Sequence, residues 1–240
     1  MITDTMTIPR RFNGPPSSGN GGYVCGRLAS YLEGPASVRL RAPPALEREL
    51  RVEASADEAR LFDGDTLVGH ARRSEFELSP PAAPSFADAE AASKSCIGFV
   101  RHLLPYCFVC GPNRPEGDGL RIFPGRTTDD AVFAAPWVPH ASLDDGLGHV
   151  APEFLWAALD CAGAFAALPT AMQPILLGEL SARLDTDVAI GERCVVAAWA
   201  IGAEGRKHFA GTALYSAAGM PVAVARATWI EIPSMPGDRT

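Results

Sequence analysis

The sequence predicts an α+β fold in which antiparallel strands pack on long helices, and three observations carry that prediction. The segment Val150–Leu168 (V-A-P-E-F-L-W-A-A-L-D-C-A-G-A-F-A-A-L) is apolar on every face, so it reads as a helix buried all round. The chain also states one plan twice, a helix and then strand-like runs, on either side of a Pro/Ala-rich stretch at Ser79–Ser93. Finally, the closing hairpins correspond: A-R-L-F-D-G-D-T-L-V-G-H-A-R from Ala59 to Arg72 matches A-L-Y-S-A-A-G-M-P-V-A-V-A-R from Ala213 to Arg226 in its apolar pair, its turn glycine and its Ala-Arg ending.

Each element has its own signal. In the first half Asn20 is a helix cap and Gly34 a stop, giving a helix over Asn20–Gly34. Strands follow at Ser37–Ala42, Glu49–Ala56 and Ala59–Leu78, the last divided by the turn Asp63-Gly64-Asp65. Ser79–Ser93 lacks either periodicity and reads as a surface linker. In the second half, strands are expected at Gly119–Phe123 and Ala131–Trp137, and a loop at Pro139–Gly148. After the apolar helix come Ile175–Ala189, Cys194–Ile201 and Lys207–Ile232, the last turning at Ala218-Gly219-Met220-Pro221. The expected organisation is residues 1–78, a linker at 79–104, and residues 105–240.

Composition narrows the function classes. The 240 residues are 47% hydrophobic and 20% charged, an ordinary globular balance able to bury a real core. A net charge of −7 argues against nucleic acid and against an anionic membrane surface as partners. No apolar run approaches the ~20 residues of a spanning helix, and the first residues lack a secretory apolar core. A cytoplasmic location is expected, and the six scattered cysteines read as reduced thiols.

Three stretches together carry a family likeness: C-F-V-C-G-P at Cys107–Pro112, G-L-R-I-F at Gly119–Phe123, and the buried helix continuing L-D-C-A-G. The combination resembles the hotdog-fold acyl-CoA thioesterases, and Asn20-Gly21-Gly22 opening the first helix resembles the same fold. The resemblance covers roughly residues 12–78 and 105–232. It implies a double hotdog, two antiparallel sheets each wrapped around a long buried helix, fused as a mimic of the usual homodimer. It implies an acyl-CoA-type substrate, with the chain itself a monomer or homodimer. Two positions depart from the family pattern: the second helix opens Gly148-His149-Val150-Ala151-Pro152 rather than H-G-G, and Ala164 stands where a Ser or Thr is common. A D-x-N-x-x-H hydratase motif is absent from the sequence.

Asp160 is the candidate catalytic group. A carboxylate within so apolar a helix loses hydration, and such groups are kept for chemistry or to fasten a polar network. Thioester hydrolysis needs a base or nucleophile beside the carbonyl carbon, a task suited to Asp160, and a donor for the oxyanion. Free N–H groups of Gly21 and Gly22 at a helix start, beside Asn20, suit the second task. On a straight helix Trp156, Ala157, Gly163 and Ala164 share the face of Asp160 and would border substrate. Cys161 would point roughly 100° away and serve packing. Glu153 suits the first-turn dipole, and the sequence holds no G-x-S-x-G nucleophile motif.

Two competing readings stay open. Cys107 and Cys110 with Cys96 and His102 could make a Cys₃His zinc site, but the spacing is irregular and a second CxxC is lacking, so no metal and no cofactor are expected. The same scaffold could also bind an acyl-thioester or another apolar ligand without turning it over.

Overall fold

The computed structural model describes residues 2–129, 131–168, 170 and 173–236; the last four positions of the expected C-terminal half lie outside these. Its centre is one antiparallel sheet of eleven strands, not two sheets. In chain order the strands are β1 (Ile2–Thr7), β2 (Ala36–Leu40), β3 (Glu49–Ala54), β4 (Glu58–Asp63), β5 (Thr66–Arg73), β6 (Gly125–Arg126), β7 (Val132–Trp137), β8 (Ile175–Leu184), β9 (Cys194–Glu204), β10 (Lys207–Tyr215) and β11 (Pro221–Glu231). Their order across the sheet is β1-β3-β4-β5-β2-β8-β11-β10-β9-β7-β6. The expectation of two sheets fails at β2 and β8, which pair antiparallel with Val38 opposite Leu180. Each strand would otherwise present an open edge, and the pairing removes both.

Among the described residues four α-helices accompany this sheet: α1 (Gly21–Ala29), α2 (Phe86–Ser93), α3 (Pro152–Ala158) and α4 (Cys161–Ala167). On one face α1 meets β2, β4, β5 and β8, while α4 meets β7, β9, β10 and β11. Helices α1 and α3 pack directly on each other. The other face is covered locally by α2, which lies over β6, β7 and β9. This explains why Cys194–Ala198 is apolar without alternation. Cys194, Val196 and Ala198 join the core under α4, and Val195 and Ala197 join the one under α2.

Several boundaries differ from expectation, each for a local reason. Ser79–Ser93 is not wholly irregular: Ser85 Oγ caps α2 through the Asp88 N–H, and the alanines Ala89 and Ala92 are buried. The first helix ends at Ala29 rather than continuing to Gly34. Gly119–Phe123 forms no strand; the Leu120 and Ile122 N–H groups donate instead to the carbonyls of Phe108 and Val109. Strand β1 has no strong apolar pattern, since only Met6 is buried, and it forms because it pairs with β3, which would otherwise be the edge of the sheet.

The largest correction concerns the apolar helix, which breaks at Asp160. Leu159 has ψ near 0° and Asp160 has ψ −87°, outside the helical region. The Leu159 carbonyl, freed of its helical partner, accepts a 2.7 Å hydrogen bond from Thr212 Oγ1 on β10. The Gly163 N–H goes instead to the Asp160 carbonyl. A buried threonine therefore stabilises a kink that helical periodicity alone cannot reveal.

Candidate active site

Asp160 sits at the break between α3 and α4 and is 2% exposed. Its Oδ2 accepts two hydrogen bonds, from the Gly22 N–H at 2.8 Å and from Asn20 Nδ2 at 2.9 Å. Asn20 Oδ1 in turn accepts from the Tyr23 N–H, so one side chain both caps α1 and holds the acid. Asp160 Oδ1 is buried with no partner among the described residues. Burial pushes this carboxyl up to about 7; the Gly22 N–H opposes the rise, Cys107 adds to it, and Asn20 opposes it.

The approach of α1 to α3 that makes this contact possible depends on two glycines one turn apart. A Cβ at Gly22 would lie 2.5 Å from Asp160 Cβ and 2.7 Å from the Trp156 carbonyl oxygen. One at Gly26 would lie 2.6 Å from Glu153 Cα. Close backbone approach is therefore what puts the Gly22 N–H within reach of the carboxyl.

A cavity of about 250 Å³ reaches the acid. Asn20, Gly21 and Asp160 border it on one side, and Leu40, Leu177 and Trp229 supply apolar wall. Such a lining, mostly apolar with a few convergent polar groups, suits a small organic ligand. The Gly21 N–H, at the first position of α1, donates to no described residue.

Beside the acid lies a cluster that sequence reasoning did not assemble. The sulfurs of Cys107, Cys110 and Cys161 lie within 4.8 Å of one another and all three residues are buried. Cys107 Sγ and Cys161 Sγ are 3.7 Å apart, and both residues border the cavity. The neighbouring Cys110 and Cys161 thiols hold Cys107 well below the usual thiol range, against the effect of burial, and are themselves pushed up by it. Cys161 joins this group from the first turn of α4, immediately after the kink at Asp160. Cys96 and His102 are not in the cluster: Cys96 precedes a short 3-10 turn and His102 Nδ1 accepts from the Leu104 N–H.

Among the residues singled out in the sequence, Asp160, Asn20, Gly21 and Gly22 come together at the mouth of α1. Trp156, Ala157, Gly163 and Ala164 do not border the cavity. Trp156 and Ala157 face the α1 glycines, and Gly163 packs toward Trp229, Ala210 and Thr212. Straight-helix geometry puts those four beside the acid, but the kink alters one side of it and the α1 contact occupies the other.

Phe108, inside the CxxC turn, ties this region together. It is part of an aromatic cluster with Phe12, Tyr23 and Phe154, contributed by three other segments. The buried Arg114 fixes the neighbouring loop, donating to the Tyr106 carbonyl, Asp118 and Asn13 Oδ1.

No protein-family model and no curated sequence matches the chain. Solved structures do. A protein provisionally named thioesterase II from Thermobifida fusca aligns over 96% of this chain and 92% of its own, with TM-score 0.61 and 13% identity. The TesB protein of Mycobacterium avium subspecies paratuberculosis aligns over 96% and 93%, with TM-score 0.61 and 11% identity. A hotdog-fold protein of unknown function from Alicyclobacillus acidocaldarius aligns over 97% and 94%, with TM-score 0.54 and 9% identity. These likenesses show that the chain has the hotdog fold. No helix among the described residues is long and apolar enough to cross a membrane.

Proposed function

We propose that the chain hydrolyses an acyl-thioester, with Asp160 as the general base or nucleophile. The observation that carries the reading is a buried carboxyl at the wall of an apolar cavity and next to a helix start, with one of its oxygens unpaired among the described residues. A thioester in that cavity would place its carbonyl beside the unused Gly21 N–H, which suits a developing oxyanion. Asp160 would take a proton from water as the water attacks the carbonyl carbon. Collapse of the tetrahedral adduct breaks the C–S bond, and the proton held on Asp160 goes to the leaving thiolate. Names given to the fold's solved neighbours agree with this class of reaction.

The scaffold that supports the reading is a fused pair of hotdog units. Strands β3-β4-β5-β2 and β9-β10-β11-β8 run inward from opposite sides of the sheet and meet at β2 and β8. The site is then composite, with the acid from the second unit and the N–H donors from the first. Because the first helix carries no acid between Tyr23 and Leu32, one site per chain follows.

One observation favours a second reading, binding without turnover. The Gly22 N–H, expected to serve the oxyanion, is spent on Asp160 Oδ2. A screen of acyl-CoA esters with free-thiol detection separates the two. Hydrolysis predicts thiol release that Asp160→Asn reduces at least about 100-fold with an unchanged circular dichroism spectrum. Tight binding of CoA esters without thiol release, or a fully active Asp160→Asn, would reject the hydrolase.

A further inference from the structure

We propose that Cys107, Cys110 and Cys161 form a zinc site, built where the CxxC turn meets the first turn of α4. The three sulfurs already stand close to the required positions. Zinc–thiolate bonds of about 2.3 Å in a tetrahedral site put sulfurs about 3.8 Å apart. The Cys107–Cys161 separation is 3.7 Å, and no pair exceeds 4.8 Å, so closure needs shifts of about 1 Å or less.

The turn is built for two adjacent ligands. A Cβ at Gly111 would lie 2.5 Å from the Cys107 carbonyl oxygen and 2.6 Å from its nitrogen, so only glycine lets the chain double back there. The Gly111 N–H closes the turn on the Cys107 carbonyl at 2.9 Å. Asn20 Nδ2 adds a donor 3.9 Å from Cys107 Sγ and 4.0 Å from Cys161 Sγ.

Binding exchanges the protons that the three sulfurs still carry for one dication: each S–H present releases its proton to solvent and three Zn–S bonds form. Two of the three ligands border the cavity, so the fourth position is left to water or a small molecule from that side. The ion would clamp the Cys107–Gly111 turn to the kink that positions Asp160. This goes beyond the hydrolase reading, and its test reads metal rather than turnover.

The experiment titrates cobalt(II) into full-length protein that has been chelator-stripped and kept reduced with a phosphine, then displaces it with zinc. The expected result is a sulfur-to-cobalt charge-transfer absorption that saturates at one equivalent and is abolished by zinc. Cys161→Ser should weaken binding at least 100-fold, whereas Cys96→Ser and His102→Ala should bind as the parent does. Absence of the charge-transfer band in the parent protein overturns the site whatever the variants do. So does a Cys161→Ser protein that binds as tightly as the parent, or loss of binding in Cys96→Ser or His102→Ala instead.

Discussion

Asp160 illustrates how one residue answers to several forces at once. Desolvation favours its neutral form, while the Gly22 N–H and Asn20 favour the charged one, and the balance leaves it at about 7. An unfolded Asp titrates at ~3.9, so between those values the folded chain holds a proton that the unfolded chain has released. Stability from this group is therefore fully present below about pH 4 and is lost as pH rises to about 7. A gap of that width is worth about 4 kcal/mol at most. Asp160→Asn removes the titration while its amide oxygen can still accept the two hydrogen bonds. Urea unfolding of metal-free, reduced protein should show the parent losing more stability than the variant between pH 4.5 and 8. Parallel pH profiles for the two proteins would refute this balance of forces.

Among the elements, the α1–α3 contact has the sharpest energetic signature. Gly26→Ala gains up to ~1 kcal/mol of helix propensity. Against that, the new methyl carbon would sit 2.6 Å from Glu153 Cα and 2.8 Å from Trp156 Cβ, and a backbone carbon cannot swing aside as a side-chain tip can. Overpacking of this kind costs about 1–3 kcal/mol, so destabilisation should win by up to ~2 kcal/mol in chemical denaturation. A more stable Gly26→Ala protein would show that the helices separate easily. Cap and turn signals, with alternating or continuous apolar runs, are enough to read α1 and the strands β2 to β5 and β7 to β11 from sequence, apart from their ends. The kink at Asp160 is illegible there because its cause, Thr212, lies 53 residues from the carbonyl it engages and on another element. Separation along the chain also hides the thiol cluster: the CxxC is visible, but its third sulfur comes from Cys161, 54 residues beyond Cys107.

For the whole molecule, the decisive feature is that one sheet runs through both halves. Antiparallel pairing of Ala36–Arg39 with Glu179–Ala182 makes the halves share backbone hydrogen bonds, and Ser37, Arg39, Ser181 and Glu179 join them again through side chains. Sequence repetition suggests two similar halves, but it cannot show whether their sheets stay apart, because the edges of β2 and β8 carry no distinguishing pattern. The acid and its partners straddle this division, so the site exists only while the halves remain joined. Unfolding should accordingly be a single transition. Leu180, fully buried at the junction opposite Val38, tests this directly. Leu180→Ala should cost about 2–5 kcal/mol and move the whole transition, with far-UV and near-UV signals still coincident. Two separated transitions in the variant, one for each half, would mean that the halves fold independently and that the shared sheet is an association of finished domains.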